Sequence, residues 1–292
     1  MSLRGRRRDV WVVGDVHGAL RKLISMLHAA RLTDARGRWT GGSARVVFLG
    51  DYLDRGPDGL GVVRLVRALE RDAAKRGGNV TALLGNHEVM FLAALQYPKL
   101  IRHSPTFGQI TYREYWRANG GQDPDLTGVS FDDLTWLRER PAAHRDGNWL
   151  MMHADSTMYL QYGQSLRELN QNVLTVMTTV NAPDWEIFMA DFAERLAFRG
   201  ARGADRAQRM LRAYGGDRIV HGHTPVQYIT QDDPDHDERG TPLWSGGGLA
   251  LNVDGGMAYV PNGGFIVRLT DTDVGTVIRP PDRNFWFRAD DE

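Results

Sequence analysis

Five short apolar or β-branched runs each lead into a glycine-linked cluster of carboxylate, imidazole or amide side chains, and this repetition constrains the fold more than any other feature. The runs are Val10–Val13, residues 45–49, residues 80–84, Trp149–Met152 and residues 218–220. Runs of this length, bounded by Gly, Asp or Asn, read as strands covered on both faces. Helical patterns separate the first three. Leu20, Leu23, Ile24, Leu27 and Leu32 form one apolar stripe, and Leu60, Val63, Leu65, Val66 and Leu69 form another. Strand, loop, helix, strand is the signature of an α/β sheet with buried faces.

Residues 96–147 break this rhythm with four prolines, the Gly120 and Gly121 pair, and a concentration of aromatics that includes Tyr112, Tyr115, Trp116 and Trp136. They read as an insertion able to cover a site, its aromatics forming a satellite core. Residues 160–213 read as mainly helical, with a turn at Asn181, Ala182 and Pro183. Beyond residue 240, glycine pairs and triplets separate short runs, as antiparallel strands with tight turns would require. Residues 231–240 read as an exposed acidic loop.

The clusters carry the chemistry. The first run leads into GDVHG with Asp15 and His17, the second into GDYLDRG with Asp51, Asp54 and Arg55, and the third into GNHE with Asn86, His87 and Glu88. The fourth ends at His153, and the fifth runs into HGHTP with His221 and His223. Sites in open α/β sheets form at the carboxyl ends of strands, so these side chains are expected to converge. Gly14, Gly50, Gly85 and Gly222 stand just before candidate ligands, where close backbone approach leaves no room for a Cβ. His28, His103, His144 and His236 lack such placement and read as packed or surface histidines. Glu88 reads only as a carboxylate favoured at a helix N-terminus.

With zero cysteines, any metal must be held by His, Asp, Glu or Asn, a donor set that suits manganese, iron or zinc. Six candidate ligands are too many for one tetrahedral ion and about right for two ions sharing a carboxylate. Two-metal sites typically carry out in-line displacement at phosphorus. Ligands from Asp15 to His223 must then meet, so residues 1–292 are expected to form a single domain with an insertion or cap at about 96–147.

Charge narrows the partners. Thirty-six basic residues balance 36 acidic ones, a net charge of +0, which removes the overall positive field that nucleic acid or an anionic membrane would need. Lys22, Lys75 and Lys99 are the only lysines, so arginine is spread along the whole chain and counts only beside other chemistry. The basic residues 6–8 read as a solvated tail. No apolar run approaches the ~18 residues that span a bilayer, and Val10–Val13 is too short for a secretory core. A cytoplasmic protein without nucleic-acid or membrane partners is expected.

GDVHG, GDYLDRG and GNHE, followed by a lone His and then GHT, resemble the phosphoprotein phosphatase (PPP) superfamily of calcineurin-like metallophosphoesterases. With GRWTGG before the second motif and LLGNHEVM at the third, the chain is most similar to the bacterial Shewanella-like phosphatases. The resemblance implies an α/β fold, a four-layer αββα sandwich of two facing mixed sheets flanked by helices. It implies two divalent ions, of manganese or else iron or zinc. Asp15, His17 and Asp51 would hold one, and Asp51, Asn86, His153 and His223 the other. Arg55 would grip the phosphate, with Asn86 beside it and a second arginine, which by position is Arg199, with Arg195 and Arg202 close by. His87 would protonate the leaving oxygen while Asp54 orients it and keeps it cationic, and a metal-bridging hydroxide would attack phosphorus directly. His221 has no ligand role in that pattern and reads as structural. Asp155 stands where the family has glycine and would lie near the metals.

The implied activity is that of a metal-dependent phosphomonoesterase acting on phosphoproteins or small phosphoesters, with phosphotyrosine favoured in Shewanella-like enzymes. Three rivals remain. A dinucleoside polyphosphate hydrolase of the diadenosine tetraphosphatase kind shares the motifs. A nuclease would lack the charge for backbone attraction, and an inactive scaffold would have lost ligands that this chain keeps.

Overall fold

The computed structural model describes residues 9–281 except 232, 234, 236 and 238, so residues 6–8 and His236 lie outside the described part. Twelve strands and eleven α-helices alternate along it. The first half runs β1 (Val10–Val13), α1 (Leu20–Ala29), β2 (Arg45–Phe48), α2 (Gly59–Ala74), β3 (Asn79–Ala82) and α3 (Asn86–Gln96). β1, β2 and β3 pair in parallel, as the helical crossovers between them demand. α2 starts at Asp58, whose carboxylate caps Gly61 N–H at 2.8 Å. It buries Leu60, Val63, Val66 and Leu69 as the spacing predicts, but Val62 is buried where Leu65 is only half-buried.

The insertion begins with a hairpin of β4 (Ile101–Ser104) and β5 (Gly108–Thr111), followed by α4 (Tyr112–Ala118), α5 (Asp123–Gly128) and α6 (Phe131–Arg138). Tyr112, Trp116 and Trp136 are buried in the main core, whereas Phe107 and Phe131 are exposed. The stretch ends differently from expectation. β6 (Ala143–Asp146) pairs antiparallel with β7 (Trp149–Met152) and is an edge strand of the second sheet. Its sequence AHRD has no apolar alternation because an edge strand is covered on fewer sides.

The second half continues with α7 (Tyr159–Tyr162), α8 (Leu166–Thr178), α9 (Ala182–Asp191), α10 (Gly203–Tyr214), β8 (Arg218–His221) and α11 (Val226–Thr230). Asn181 is the turn residue before α9, and Pro183 stands in that helix's first turn, where its missing N–H costs nothing. Strands β9 (Leu243–Ser245), β10 (Ala250–Asn252), β11 (Ile266–Leu269) and β12 (Val274–Ile278) close the fold. Not all are antiparallel as expected. β10 runs parallel to β8, and β9 then pairs antiparallel with β10.

Two mixed five-stranded sheets result, in the orders β12-β11-β1-β2-β3 and β6-β7-β8-β10-β9. Side chains alternate along each strand, and the alternation sorts the core into layers. Val10, Val12, Val47 and Leu49 from one sheet meet Trp149, Met151, Val220 and Leu251 from the other. Val13 and Phe48, with Leu150, Met152 and Ile219, turn the opposite way into the core shared with the helices. The order helix, sheet, sheet, helix is the expected four-layer α/β sandwich.

Candidate active site

The parallel strands β1, β2, β3, β7 and β8 all deliver their following loops to one place. Asp51 is its centre. Its Oδ2 lies 3.4 Å from His17 Nε2, and its Oδ1 lies 3.4 Å from His153 Nε2. One carboxylate thus faces two separate imidazole groups. His153 Nε2, His223 Nδ1 and Asn86 Oδ1 stand 2.9–3.1 Å from one another. On the other side Asp15 Oδ2 lies 3.8 Å from His17 Nε2, while both Asp15 oxygens accept the His223 N–H at 3.0 and 3.2 Å. His17 Nδ1 donates to Leu53 O at 2.9 Å, which leaves the Nε2 lone pair facing the carboxylates.

The backbone is bent to achieve this. His17, Asp51, Asp54, Arg55 and His223 all have positive φ, between 46° and 76°, a region costly for residues with a Cβ. Among described non-glycine residues only Arg31 and Leu196 share it. Glycine clears space where carboxylates come close. A Cβ on Gly85 would collide with Asp51 Oδ1, and one on Gly222 with Asp15 Oδ1.

These residues fit metal ions. Ligand atoms about 2.0–2.2 Å from one ion lie roughly 3–3.5 Å apart, and the spacings around Asp51, His153, His223 and Asn86 fall in that range. Grouped by proximity, His17, Asp51 and His87 form one buried cluster and Asp51, His153 and His223 another. Electrostatics point the same way. Burial, then repulsion from Asp254 and Asp51, pushes the Asp15 carboxyl well up, and burial also raises Asp51. Carboxylates crowded in this way call for cations between them. Burial, followed by the positive charge of Arg55 for His17 and of Arg195 for His153, brings both imidazoles down to about 3. They stay neutral, as ligands must.

Asp54, His87 and Arg55 stand beside the cluster. His87 Nδ1 is 2.6 Å from Asp54 Oδ2, and Trp116 Nε1 donates to Asp54 Oδ1 at 2.7 Å. Trp116 thus brings α4 to the site, whereas the sequence alone places its aromatics in a satellite core. Burial drives the Asp54 carboxyl well up and the His87 imidazole well down. Arg55 donates from its guanidinium to His17 Nε2, its own N–H is held by Gly120 O at 2.7 Å, and its Cζ lies 4.8 Å from the Tyr259 ring centroid.

Arg199 lines a small cavity with Asp155, His221 and Asn252. Leu196 turns the chain with a φ of 61°, and Ala197 and Phe198 after it are buried. Arg195 donates to His223 O and, at 3.3 Å, to Thr224 Oγ1, and its charge acts on Asp51, His153 and His223. Arg202 only precedes α10. His221 is buried, with Nδ1 3.1 Å from Gly222 O and its ring against Phe198. Burial pushes the Asp155 carboxyl up, and the charge of His221 is the largest influence opposing it.

Of two further buried carboxylates, Glu88 does more than the helix-terminal role read for it, and Asp254 was not singled out in the sequence. Glu88 accepts from the N–H groups of Asp51 and Tyr52 at 2.8 Å, Gly85 at 3.0 Å and Leu53 at 3.3 Å, joining the loops after β2 and β3. Its spacing of three from Gly85, with the glycine at the helix cap, was the available signal. Asp254, just past β10, is raised to about 6 by burial and accepts from Gly256 N at 2.9 Å. The DGG text around it was its only mark.

A family model described as calcineurin-like phosphoesterase matches residues 9–227. Shewanella-like protein phosphatase 2 of Arabidopsis thaliana is 44% identical over 78 residues, 27% of this chain and 20% of that protein. A symmetrical bis(5'-nucleosyl)-tetraphosphatase of Methylococcus capsulatus is 30% identical over 146 residues, 50% of this chain and 42% of that enzyme. Each match thus spans less than half of the relative. In three dimensions a cold-active protein-tyrosine phosphatase of a psychrophilic Shewanella species superposes with a TM-score of 0.66 at 20% identity, covering 94% of this chain and 80% of that one, which bears on the fold.

Proposed function

The chain belongs to the calcineurin-like phosphoesterase family, and we propose that it is a dinuclear-metal phosphomonoesterase of the phosphoprotein phosphatase superfamily, acting on phosphoprotein side chains. Asp15, His17 and Asp51 would hold one divalent ion, and Asp51, Asn86, His153 and His223 the other, manganese being the first candidate and iron or zinc the alternatives. Bound there, such ions neutralise phosphate charge and supply an activated water at phosphorus.

The chain's own groups do the rest. Arg55 and Arg195 bring guanidinium groups to the site from two directions, Arg195 taking the clamp role, and a planar fork suits phosphate oxygens. His87 has its Nδ1 committed to Asp54, which leaves Nε2 to donate a proton to the leaving oxygen. Trp116 and His87 between them engage both oxygens of Asp54 and fix the acid's orientation. As Nε2 gives its proton to the leaving oxygen, Nδ1 keeps or takes the proton it shares with Asp54, so the ring ends neutral and Asp54 ionised. Glu88 keeps the loop of Asp51, Tyr52 and Leu53 in register with the helix that carries Asn86 and His87.

One observation favours a monoester over a polyphosphate. The groove of about 550 Å3 beside His223 is lined by Pro225, Gln227, Tyr228, Gln231 and Tyr259, and Arg195 is the only cation among its described lining residues. A chain of four phosphates would need further positive charge along that path. The second reading, a dinucleoside polyphosphate hydrolase, rests on the likeness to the Methylococcus enzyme over half of this chain. Turnover of phosphotyrosine peptide, phosphoserine peptide and diadenosine tetraphosphate by the Mn2+-loaded protein decides between them. Phosphopeptides should be the better substrates; a tenfold or greater preference for the dinucleotide would replace the first reading with the second.

A further inference from the structure

Lys75 and Lys99 are exposed, but Lys22 is buried at 2% exposure in the first turn of α1, a few residues beyond the GDVHG loop. An ammonium in such a place must spend its three N–H donors on protein acceptors. Lys22 Nζ donates to Met257 O at 2.8 Å, Val260 O at 2.6 Å and Gly263 O at 3.3 Å. All three carbonyls belong to the loop between β10 and β11. Burial lowers this ammonium to about 8, which still leaves it charged at neutral pH.

The loop closes on itself, with Gly264 N–H donating to Gly255 O at 2.7 Å. Tyr259 stands inside that closure. Its ring lies 4.8 Å from Arg55 Cζ and makes an edge contact with His17 at 6.1 Å between centroids. A guanidinium held against an aromatic face has fewer orientations open to it, and Arg55 is the group meant to meet phosphate. α1 therefore serves two sides of the site, because its N-terminal approach carries His17 while Lys22 holds the loop that bears Tyr259.

We propose that Lys22 is a positioning residue: by tying down the carbonyls of Met257, Val260 and Gly263 it fixes Tyr259 over Arg55 and so sets how tightly the site binds phosphate. This rests on the phosphatase reading for its consequence, but the latch itself is a property of the chain. Lys22→Met keeps an unbranched stem one atom shorter and removes every donor. Lys22→Gln keeps two donors on a shorter arm and serves should the Met variant not fold.

Three measurements test it. Hydrogen exchange read by mass spectrometry should show residues 256–264 exchanging tenfold or more faster in Lys22→Met, with residues 51–53 unchanged. With p-nitrophenyl phosphate, KM should rise about three- to thirty-fold, the range that a guanidinium–ring contact sets, while kcat stays within about twofold. Adding Lys22→Met to Tyr259→Ala should cost nothing further in KM, because both changes undo one contact. Unchanged exchange in the loop, losses that simply add, or a fall in kcat at constant KM would each overturn the proposal. Binding of inorganic phosphate to the Mn2+-loaded proteins, followed by calorimetry, gives the same comparison without turnover. An inactive wild type would thus sink the phosphatase reading while this comparison still judged the latch.

Discussion

The carboxylate of Glu88 accepts a hydrogen bond from the backbone N–H of Asp51 at 2.8 Å, with both groups almost fully removed from solvent. The same carboxylate takes the N–H groups of Tyr52, Leu53 and Gly85, so four donors from two loops end on one side chain. Glu88→Gln keeps the shape but turns an NH2 toward some of those donors. It should lower stability by about 1–3 kcal/mol, the cost of stranding buried polar groups, and reduce metal content through Asp51. A variant that melts like the wild type and binds as much manganese would show that the loops hold their register without this carboxylate.

Asp51 offers one oxygen to each imidazole group, and that relationship predicts a joint loss. In Asp51→Asn an amide nitrogen replaces one of the two oxygens, so neither ion keeps its shared anionic ligand. Metal content by elemental analysis and hydrolysis of p-nitrophenyl phosphate should disappear together. Wild-type metal content in this variant would refute the bridging assignment.

His87 lies close enough to His17, 4.6 Å between ring centroids, to be grouped with the ligands, yet its Nδ1 is committed to Asp54. His87→Asn should therefore retain metal and slow turnover by about 10²-fold or more, the usual worth of a positioned acid. The loss should be greatest for alkyl phosphates, whose leaving oxygen most needs a proton. If manganese leaves the variant instead, His87 is a ligand and not an acid.

Much of this cluster could be read from the chain because its candidate ligands are tied to strand ends. Asp15, His17, Asp51, Asn86, His153 and His223 follow apolar runs directly, and glycine marks most of the places where backbone and carboxylate crowd. What could not be read depends on contacts between distant segments. Trp116 meets Asp54 across 62 positions, which nothing local announces; the spacing of Glu88 from Gly85 marks a helix cap but not its bonds to a loop 35 to 37 residues earlier. β6 was hidden because a short polar edge strand has no alternation to detect, and the parallel pairing of β10 with β8 is a property of the sheet, not of either strand's sequence. The positive φ at Leu196, between Arg195 and Arg199, likewise has no local mark in the sequence.

Stability should carry a signature of Asp125, which sits in the insertion and is raised from 3.8 to about 6, mainly by burial. Its folded form holds a proton more tightly than the unfolded chain does. The favourable contribution is complete below about pH 3.8 and is lost as pH rises through about 6. Asparagine never ionises and avoids that loss. Asp125→Asn should raise Tm at pH 8 and leave it unchanged near pH 3.5; equal shifts at both pH values would mean that ionisation is not the cause.

Arg195 and Arg199 make a matched pair for the phosphate clamp, since both are exposed arginines on one short loop. Arg195 contacts His223 O and lines the groove with Tyr259, whereas Arg199 faces Asp155 and His221 on the far side of the turn. A charge-assisted hydrogen bond to phosphate contributes about 1.5–3 kcal/mol, so Arg195→Ala should lower kcat/KM by about ten- to 150-fold, whereas Arg199→Ala should stay within about twofold. Inhibition by inorganic phosphate should weaken in the first variant and not in the second, because the same fork would hold substrate and product. Should Arg199→Ala prove the more damaging change, the guanidinium that meets phosphate would have to be reassigned, and the turn at Leu196 would have to rearrange when substrate binds.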